Sequence, residues 1–332
     1  MDITNVLKDH GIGISSVDEL KEFKLLKDIA QPGDRTYFDS YGDFDDNVNL
    51  ALKQVDTWKI DMLKMNVVTE NNYTTIRTLY NVKMAGTRPR LSKKYFFAVV
   101  YAGSVTSDGL LKIFSKDGIR EIQNIDWGNV YNKSLGVFED SVTGNIAVHI
   151  GVDMIVFDKD LNIIKDRFEL VSNNRPTMGI GTVFYNGYIY STRIGNTLIK
   201  YDYQTNTVVN VLSSTNYVKA LICNGPKNRI WIAGDNTIYD LDFNKISNAN
   251  GYYNSDGTGT LNLIEKIPSA DGNTFMITRY GFGIEYNLNK NNLKARLLTE
   301  TSQVSDYGHF FTNSDNKTLL YMTDSRLYVY TR

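Results

Sequence analysis

The chain has 332 residues, with 36 basic and 37 acidic side chains and a formal net charge of -1. This balance excludes the strongly basic surface that nucleic-acid-binding proteins use, and the apolar runs are only strand-length, which predicts no membrane-spanning helix. The N-terminus lacks a basic segment followed by an apolar core, so we expect no secretion signal.

Residues 1–63 predict a small helical segment for attachment or oligomerisation. Ser16 to Glu19 form a capping box, which starts a helix that runs to about Ile29. Further along, apolar residues recur at the heptad spacing of a helix: Val48, Ala51, Val55, Trp58, Met62 and Met65. Two interpretations stay open. The stripe either packs on the rest of the chain or forms a short coiled coil that assembles two or three copies, most simply a homotrimer.

Residues 64–332 carry a repeat. Six landmark residues lie 43, 44, 40, 45 and 44 residues apart, each closing a short apolar run: Phe114, Phe157, Tyr201, Leu241, Tyr286 and Tyr330. A period of this length built from short strands predicts an all-β fold, a β-propeller. We expect six blades, or five if residues 64–90 belong to the N-terminal segment.

One blade shows its four strands clearly, and the last blade is one strand short. Thr182 to Leu212 contains four apolar runs, and Asn186-Gly187 is a strong signal for a tight hairpin turn. The final run, Arg326 to Tyr330, has no fourth strand after it. An N-terminal strand drawn from about Lys64 to Val82 is expected to pair with it and close the ring.

A family resemblance rests on two turns. "SADGNTFMI" (Ser269 to Ile277) and "NSDNKTLLYM" (Asn313 to Met322) resemble the turns of bacterial and phage propellers with YVTN- and TolB-type repeats. In such a turn an Asp caps the backbone and Gly or Asn takes a positive φ. The resemblance implies the fold and leaves the function open, because propellers host many activities.

Asp158, Asp160 and Asn162 partly match a calcium-binding loop. They occupy its first, third and fifth positions, but Ile163 stands where the loop needs glycine. The alternative is a polar hairpin turn between two strands. We therefore expect no firm metal site, and no cofactor.

The loops on one face are the candidate ligand-binding surface. In a propeller the links between blades and the turns between second and third strands share a face. In this chain they carry Trp127, Tyr131 and the five predicted ligand-binding residues, which are Arg193, Tyr252, Tyr253, Arg279 and Tyr280. Tyrosine rings with neighbouring amides and hydroxyls make adaptable binding surfaces.

These observations favour a noncatalytic binding or structural module. A helical stem before a propeller loosely resembles phage tail-associated receptor-binding proteins, which implies a virion component that contacts a host-surface glycan or neighbouring virion proteins. Outside a phage, the missing signal implies a cytoplasmic protein. A polysaccharide hydrolase or lyase on the same face and a purely architectural scaffold are the alternatives. Whether any catalysis occurs stays open, because no carboxylate pair stands out.

Overall fold

The computed structural model describes residues 12–14, 24–30, 36–38, 47–87, 89–102, 108–131, 133, 135–169, 183–193, 197–213, 220–222, 230–232, 237–248, 252–254, 263–266, 274–279, 282–287, 292–297, 309–312, 317–322 and 326–331. Within these residues the strands form seven antiparallel sheets of four or five strands and one two-stranded ribbon. The prediction of an all-β fold is confirmed.

Two strands precede the first sheet, and the next three sheets follow in chain order. The early strands are β1 (Ile12–Ile14) and β2 (Lys24–Ala30). Sheet 1 consists of β3 (Thr36–Phe38), β4 (Val48–Asp56), β5 (Lys59–Asn66) and β6 (Thr74–Tyr80). Sheet 2 consists of β7 (Val82–Met84) and β8 (Arg90–Leu91), which both pair with β9 (Tyr95–Ala102), then β10 (Asp108–Ser115) and β11 (Glu121–Asn129). Sheet 3 consists of β12 (Leu135–Glu139), β13 (Ile146–Ile150), β14 (Asp153–Phe157) and β15 (Ile163–Glu169).

The remaining sheets repeat the same order of strands. Sheet 4 consists of β16 (Val183–Tyr185), β17 (Tyr188–Arg193), β18 (Thr197–Asp202) and β19 (Thr207–Ser213). Sheet 5 consists of β20 (Ala220–Ile222), β21 (Ile230–Ile232), β22 (Thr237–Tyr239) and β23 (Lys245–Asn248). After β24 (Tyr252–Asn254), sheet 6 consists of β25 (Leu263–Lys266), β26 (Thr274–Arg279), β27 (Phe282–Asn287) and β28 (Asn292–Leu297). Sheet 7 consists of β29 (His309–Thr312), β30 (Thr318–Met322) and β31 (Arg326–Thr331), with β2 as its fourth strand.

Core clusters join consecutive sheets. Neighbouring residues on a strand point to opposite faces of the sheet. On β9, Phe96 therefore packs in the cluster shared with sheet 1 and Phe97 in the cluster shared with sheet 3, and both are fully buried. Similar clusters join sheets 3 and 4 and sheets 4 and 5. Burial on both faces explains the near-continuous apolar sequence of the central strands.

The first and last sheets also share a core cluster. Met65 and Val67 of sheet 1 pack with Leu327 and Val329 of sheet 7, and Ile29 of β2 lies against the same cluster. β2 pairs antiparallel with β31. A strand from the start of the chain thus completes sheet 7, and the packing returns from the last sheet to the first.

The fourth strands share a bulge followed by a polar residue. In six sheets one aliphatic residue near the start of this strand has no cross-strand partner: Ile76, Ile122, Ile164, Val209, Ile246 and Leu26. A bulge of this kind adds local twist to an edge strand. The residue after it is polar in all six sequences.

In five of these sheets the polar residue bonds to the next sheet. Its side chain donates to a main-chain carbonyl in the turn between the third and fourth strands of that sheet. The bonds run from Arg77 to Ile119 (2.8 Å), Gln123 to Leu161 (2.9 Å), Lys165 to Gln204 (3.2 Å), Asn210 to Asp242 (2.9 Å) and Lys27 to Glu70 (2.6 Å). Lys27 lies on β2 and Glu70 in sheet 1. The contact that joins the other neighbours therefore also joins sheet 7 to sheet 1.

The predicted N-terminal helices are wrong in the described residues. Residues 24–30 form β2, although the helix was expected to reach Ile29. The heptad positions from Val48 to Met65 lie on β4, a turn and β5, with Met62 and Met65 fully buried inside sheet 1. Leu50 and Leu52 are buried as well. Strands that are covered on both faces carry apolar residues at nearly every position, and some of these positions matched the spacing expected of a helix. The seam proposed for a trimer therefore lies on two paired strands and not on a helix, with Met62 and Met65 buried and Val55 exposed.

The closing strand and the number of sheets also differ from the prediction. Lys64 to Asn66 and the residues up to Tyr80 belong to sheet 1, so β31 pairs with β2 rather than with a strand from Lys64 to Val82. The expected boundary between residues 63 and 64 falls inside β5. Seven sheets of four or more strands stand where six blades were expected, because the third strand of sheet 1 ends on Met65 and Asn66 and has no aromatic landmark.

Candidate binding surface at the linker end of the sheets

The sheets have two distinct ends. The linkers that join one sheet to the next lie at the same end as the turns between second and third strands, because successive strands are antiparallel. We call this the linker end. The turns between first and second strands and between third and fourth strands lie at the opposite end, which we call the turn end.

The predicted ligand-binding residues lie on the linker end where the structure describes them. Arg193 is the last residue of β17 and Arg279 the last residue of β26, so both border a turn between second and third strands. Tyr252 and Tyr253 lie on β24, which belongs to the linker between sheets 5 and 6 and pairs with β1. Tyr280 lies outside the described residues. The role of these residues in binding stays a prediction.

The calcium candidates lie at the turn end and form a capped turn. Asp158 Oδ1 accepts the backbone N–H groups of Asp160 and Asn162, both at 2.9 Å, and its Oδ2 accepts the Asn162 side-chain amide at 2.8 Å. Asp240 and Asn244 repeat this arrangement in sheet 5. These donors hold the pKa of the Asp158 carboxyl below its usual range. The polar hairpin accounts for the three residues.

An exposed tyrosine on a buried base marks the linker between sheets 2 and 3. The Tyr131 side chain is 63% exposed, and its backbone N–H donates to Asn129 Oδ1 at 2.9 Å. Beside it, burial raises the pKa of the Tyr101 phenol, and the nearby Tyr131 raises it further. A Cβ at Gly109 would lie 2.2 Å from Val130 Cγ2, so only glycine lets the linker pack this closely on β10.

Charged groups lie in the same linker and on the strands next to it. Lys133 Nζ lies 3.8 Å from Asp153 Oδ2, which joins the linker to the turn between β13 and β14. On the outer side, Arg167 lies over the Trp127 ring at 4.6 Å and donates to the main-chain carbonyls of Trp127 and Asp126 at 2.9 and 3.0 Å. We call these residues the linker-end patch: Tyr101, Trp127, Tyr131, Lys133, Asp153 and Arg167.

A buried histidine supports the turn next to the patch. His149 Nδ1 lies 3.2 Å from Gly151 O, and the imidazole stacks on Phe138 with ring centroids 5.7 Å apart. A Cβ on Gly136 would approach His149 Nε2 to 2.1 Å, so the ring fills the space above this glycine. Burial lowers the pKa of His149 to about 4, and the nearby Arg90 adds to the shift. An enclosed, neutral imidazole supports the turn and is poorly placed to take a proton from a bound molecule.

The described residues form a surface at the linker end that is suited to binding. They contain no group of three or more His, Cys, Asp or Glu side chains that could hold a metal ion. They also contain no helix long and apolar enough to cross a membrane. The patch offers the exposed Tyr131 ring, a guanidinium and one pair of opposite charges, while Trp127 and Tyr101 are buried beneath the surface. Such groups suit recognition of another polar surface.

Sequence reasoning found part of the patch. Tyr131 lies in the linker where the loop pattern placed it, whereas Trp127, expected in the same loop, lies on β11 and is fully buried. Tyr101, Lys133, Asp153 and Arg167 were missed, because they come from four different elements. The one sequence signal for them is the short linker after β11, which brings neighbouring turns together.

Comparisons with known proteins identify the fold. No family model and no curated protein matches the chain. The Neurospora crassa Pan2 WD40 domain is similar, with a TM-score of 0.59 and 11% identity over 95% of this chain and 97% of that chain. A chain of a mitotic checkpoint complex has a TM-score of 0.59 and 12% identity, covering 96% and 94% of the two chains. Matches of this extent at such low identity establish the fold alone, and that fold is the β-propeller the repeat predicts.

Proposed function

We propose that the chain is a noncatalytic binding module, a seven-bladed propeller that binds another protein through the linker-end patch. The exposed Tyr131 on its rigid base carries this proposal. Tyrosine and tryptophan supply much of the binding energy in protein interfaces, because a large ring loses little conformational freedom on binding. Most other large exposed apolar side chains in the described residues are aliphatic.

The charges of the patch support a protein partner. Lys133 and Asp153 present both signs within one ion pair, and Arg167 is held by two carbonyls and a ring. Fixed charges around an aromatic centre match the polar rim and apolar core of protein interfaces. Because the net charge of the chain is close to zero, long-range attraction contributes little and contacts in the patch must provide specificity.

Quantitative affinity capture tests the proposal. Tagged wild type, Tyr131→Ala and Val142→Ala are compared in extracts of the source cells. Val142 is the matched control because it is 56% exposed at the turn end. We expect a protein that wild type and the control retain equally and that Tyr131→Ala recovers about tenfold less, which corresponds to about 1.4 kcal/mol. Equal recovery by all three proteins would refute a role of the patch.

A glycan array separates the earlier hypotheses from this one. Attachment to a host-surface glycan and polysaccharide cleavage stay predictions of the loop composition. The place in a virion was inferred from a helical stem, but residues 24–30 and 48–66 of that stem contain strands β2, β4 and β5. Saturable glycan binding that survives Tyr131→Ala but is lost in Tyr253→Ala would favour the predicted residues of sheets 4 to 6. Release of shortened sugar chains from a polysaccharide in a depolymerisation assay would favour the enzyme hypothesis.

A further inference from the structure

We infer that the edge of β24 is a strand-addition site that the chain's own β1 fills, and that an extended segment of another protein can take the place of β1. The inference is independent of the linker-end patch, which lies between sheets 2 and 3. It concerns a short strand in the linker between sheets 5 and 6.

The pairing of β1 with β24 stands outside the seven sheets. Ile12, Gly13 and Ile14 pair antiparallel with Asn254, Tyr253 and Tyr252. β24 is the one described strand between Asn248 at the end of sheet 5 and Leu263 at the start of sheet 6. An edge that pairs with an extended segment of its own chain has the backbone geometry that strand addition from another protein requires.

The ribbon of β1 and β24 is short enough for another strand to replace β1. Only three residue pairs join β1 to β24, and an isolated two-stranded ribbon of this size is marginally stable in water. β1 belongs to the same chain as β24, which gives it a high local concentration at the site. A partner that adds even a few contacts beyond three residues can therefore compete with it.

β2 is anchored separately, so β1 can leave without opening the propeller. Six residue pairs join β2 to β31. Arg326 Nε also donates to Asp28 Oδ1, and Lys27 bonds to Glu70 of sheet 1. These contacts remain when residues 12–14 detach. Exchange at β24 is therefore a local event.

The occupied register defines the partner. The seated segment is Ile-Gly-Ile, with a residue without a side chain directly opposite Tyr253. We therefore expect an extended stretch with a small residue between two aliphatic residues. Backbone hydrogen bonds give such binding its affinity, and the alternating side chains give it specificity.

Fluorescence anisotropy on the full chain tests the inference. The probe is a labelled peptide of residues 8–18, and the key variant is Gly13→Pro/Ile14→Pro, which removes two consecutive amides from β1. One of two consecutive amides on a strand points towards its neighbour, so the variant must weaken the internal pairing. We expect it to bind the peptide about tenfold more tightly than wild type does, because the internal competitor is lost. Its thermal unfolding should match that of wild type.

A second variant and a second peptide locate the site. Tyr252→Pro/Tyr253→Pro in the background of the first variant should abolish peptide binding, and the peptide with the same two prolines should bind neither protein. Equal binding to wild type and to Gly13→Pro/Ile14→Pro would overturn the inference, as would no binding to either. Light scattering provides a further check. If wild type is a dimer and Gly13→Pro/Ile14→Pro is a monomer, the edge of β24 binds a second copy of the chain, which would contradict the proposal that it binds another protein.

Discussion

Asp140 joins two neighbouring sheets through one buried carboxylate. It lies in the turn between β12 and β13, where its Oδ1 accepts the Val142 N–H at 2.9 Å. The same oxygen accepts the Asn186 N–H at 2.9 Å, and Oδ2 accepts the Gly187 N–H at 2.8 Å. Asn186 and Gly187 form the tight turn of sheet 4, with φ of 47° and 79° as their sequence predicted. Burial acts to raise the pKa of Asp140, but these hydrogen bonds outweigh it and lower the pKa.

Replacing this carboxylate should destabilise the fold. Asp140→Asn turns an amide NH₂ towards backbone donors, so we expect the free energy of unfolding to fall by about 2 kcal/mol at pH 7. Urea unfolding measures the change, with Val142→Ala as the exposed control. Because the folded pKa of Asp140 lies below the unfolded value of 3.8, its stabilisation is complete only well above that value and is lost as the pH falls through it towards the folded pKa. The difference between wild type and variant should shrink at pH 3, and an unchanged difference would contradict the assignment.

His149 predicts a separate pH dependence. Its folded pKa is about 4, whereas a free histidine has a pKa of 6.5. Between these values the unfolded chain binds a proton that the folded chain does not, so stability decreases as the pH falls from 6.5 to 4. The loss amounts to about 3 kcal/mol at most. In His149→Asn this contribution disappears. The stability difference between wild type and variant should therefore be larger at pH 7.5 than at pH 4.5, and a constant difference would refute the assignment.

At the scale of elements, the fourth strand of a sheet connects that sheet to the next one through its bulge and the hydrogen-bond donor that follows the bulge. The bulge leaves an aliphatic residue unpaired, and the next side chain reaches the neighbouring sheet. Ile76 shows the packing directly, because a Cβ on Gly118 in the next sheet would lie 2.7 Å from its Cδ1. The same device links sheets whose sequences differ widely. Its sequence signature is an aliphatic residue followed by a long or amide-bearing polar one.

Gln123 offers the clearest test of this connector. Gln123→Leu removes the donor to Leu161 O, a carbonyl on a residue that is 1% exposed. A buried acceptor without its donor costs about 1 to 2 kcal/mol. The variant also removes the buried Gln123 Oε1, which has no hydrogen-bond partner, so we expect a net loss of about 1 kcal/mol in the free energy of unfolding. Asn124→Ala, an exposed change one residue away, is the control. Equal stability of the two variants would show that the bond between sheets contributes nothing.

The sequence predicted those elements whose pattern is local. The aromatic landmarks mark the end of the third strand in most sheets, and Asn186-Gly187 fixed a hairpin correctly. Sheet 1 was misassigned because its residues are apolar on both faces, which removes the alternation that distinguishes a strand from a helix. The linker-end patch was predicted in part, because Tyr131 comes shortly after β11 in a short linker, whereas Trp127 is a buried residue of that strand. Lys133 and Asp153 meet only in space, and no spacing along the chain encodes their contact.

For the whole molecule, the central feature is closure by β2. The repeat itself can be recognised from the sequence, since six landmark residues recur at intervals of 40 to 45 residues. The closing strand cannot, because "KLLKDIA" carries little apolar pattern and is mostly exposed in the fold. Its position is decided by partners at the far end of the chain. Closure removes the open edge that sheet 7 would otherwise present to other chains.

The thermal stability of two truncated chains tests closure most directly. One lacks residues 1–23 and keeps β2, and the other lacks residues 1–30 and loses it. We expect the first to unfold near the wild-type temperature, and the second to unfold at least about 5 °C lower and to aggregate through the open edge of β31. Equal unfolding temperatures of the two truncated chains would contradict closure by β2.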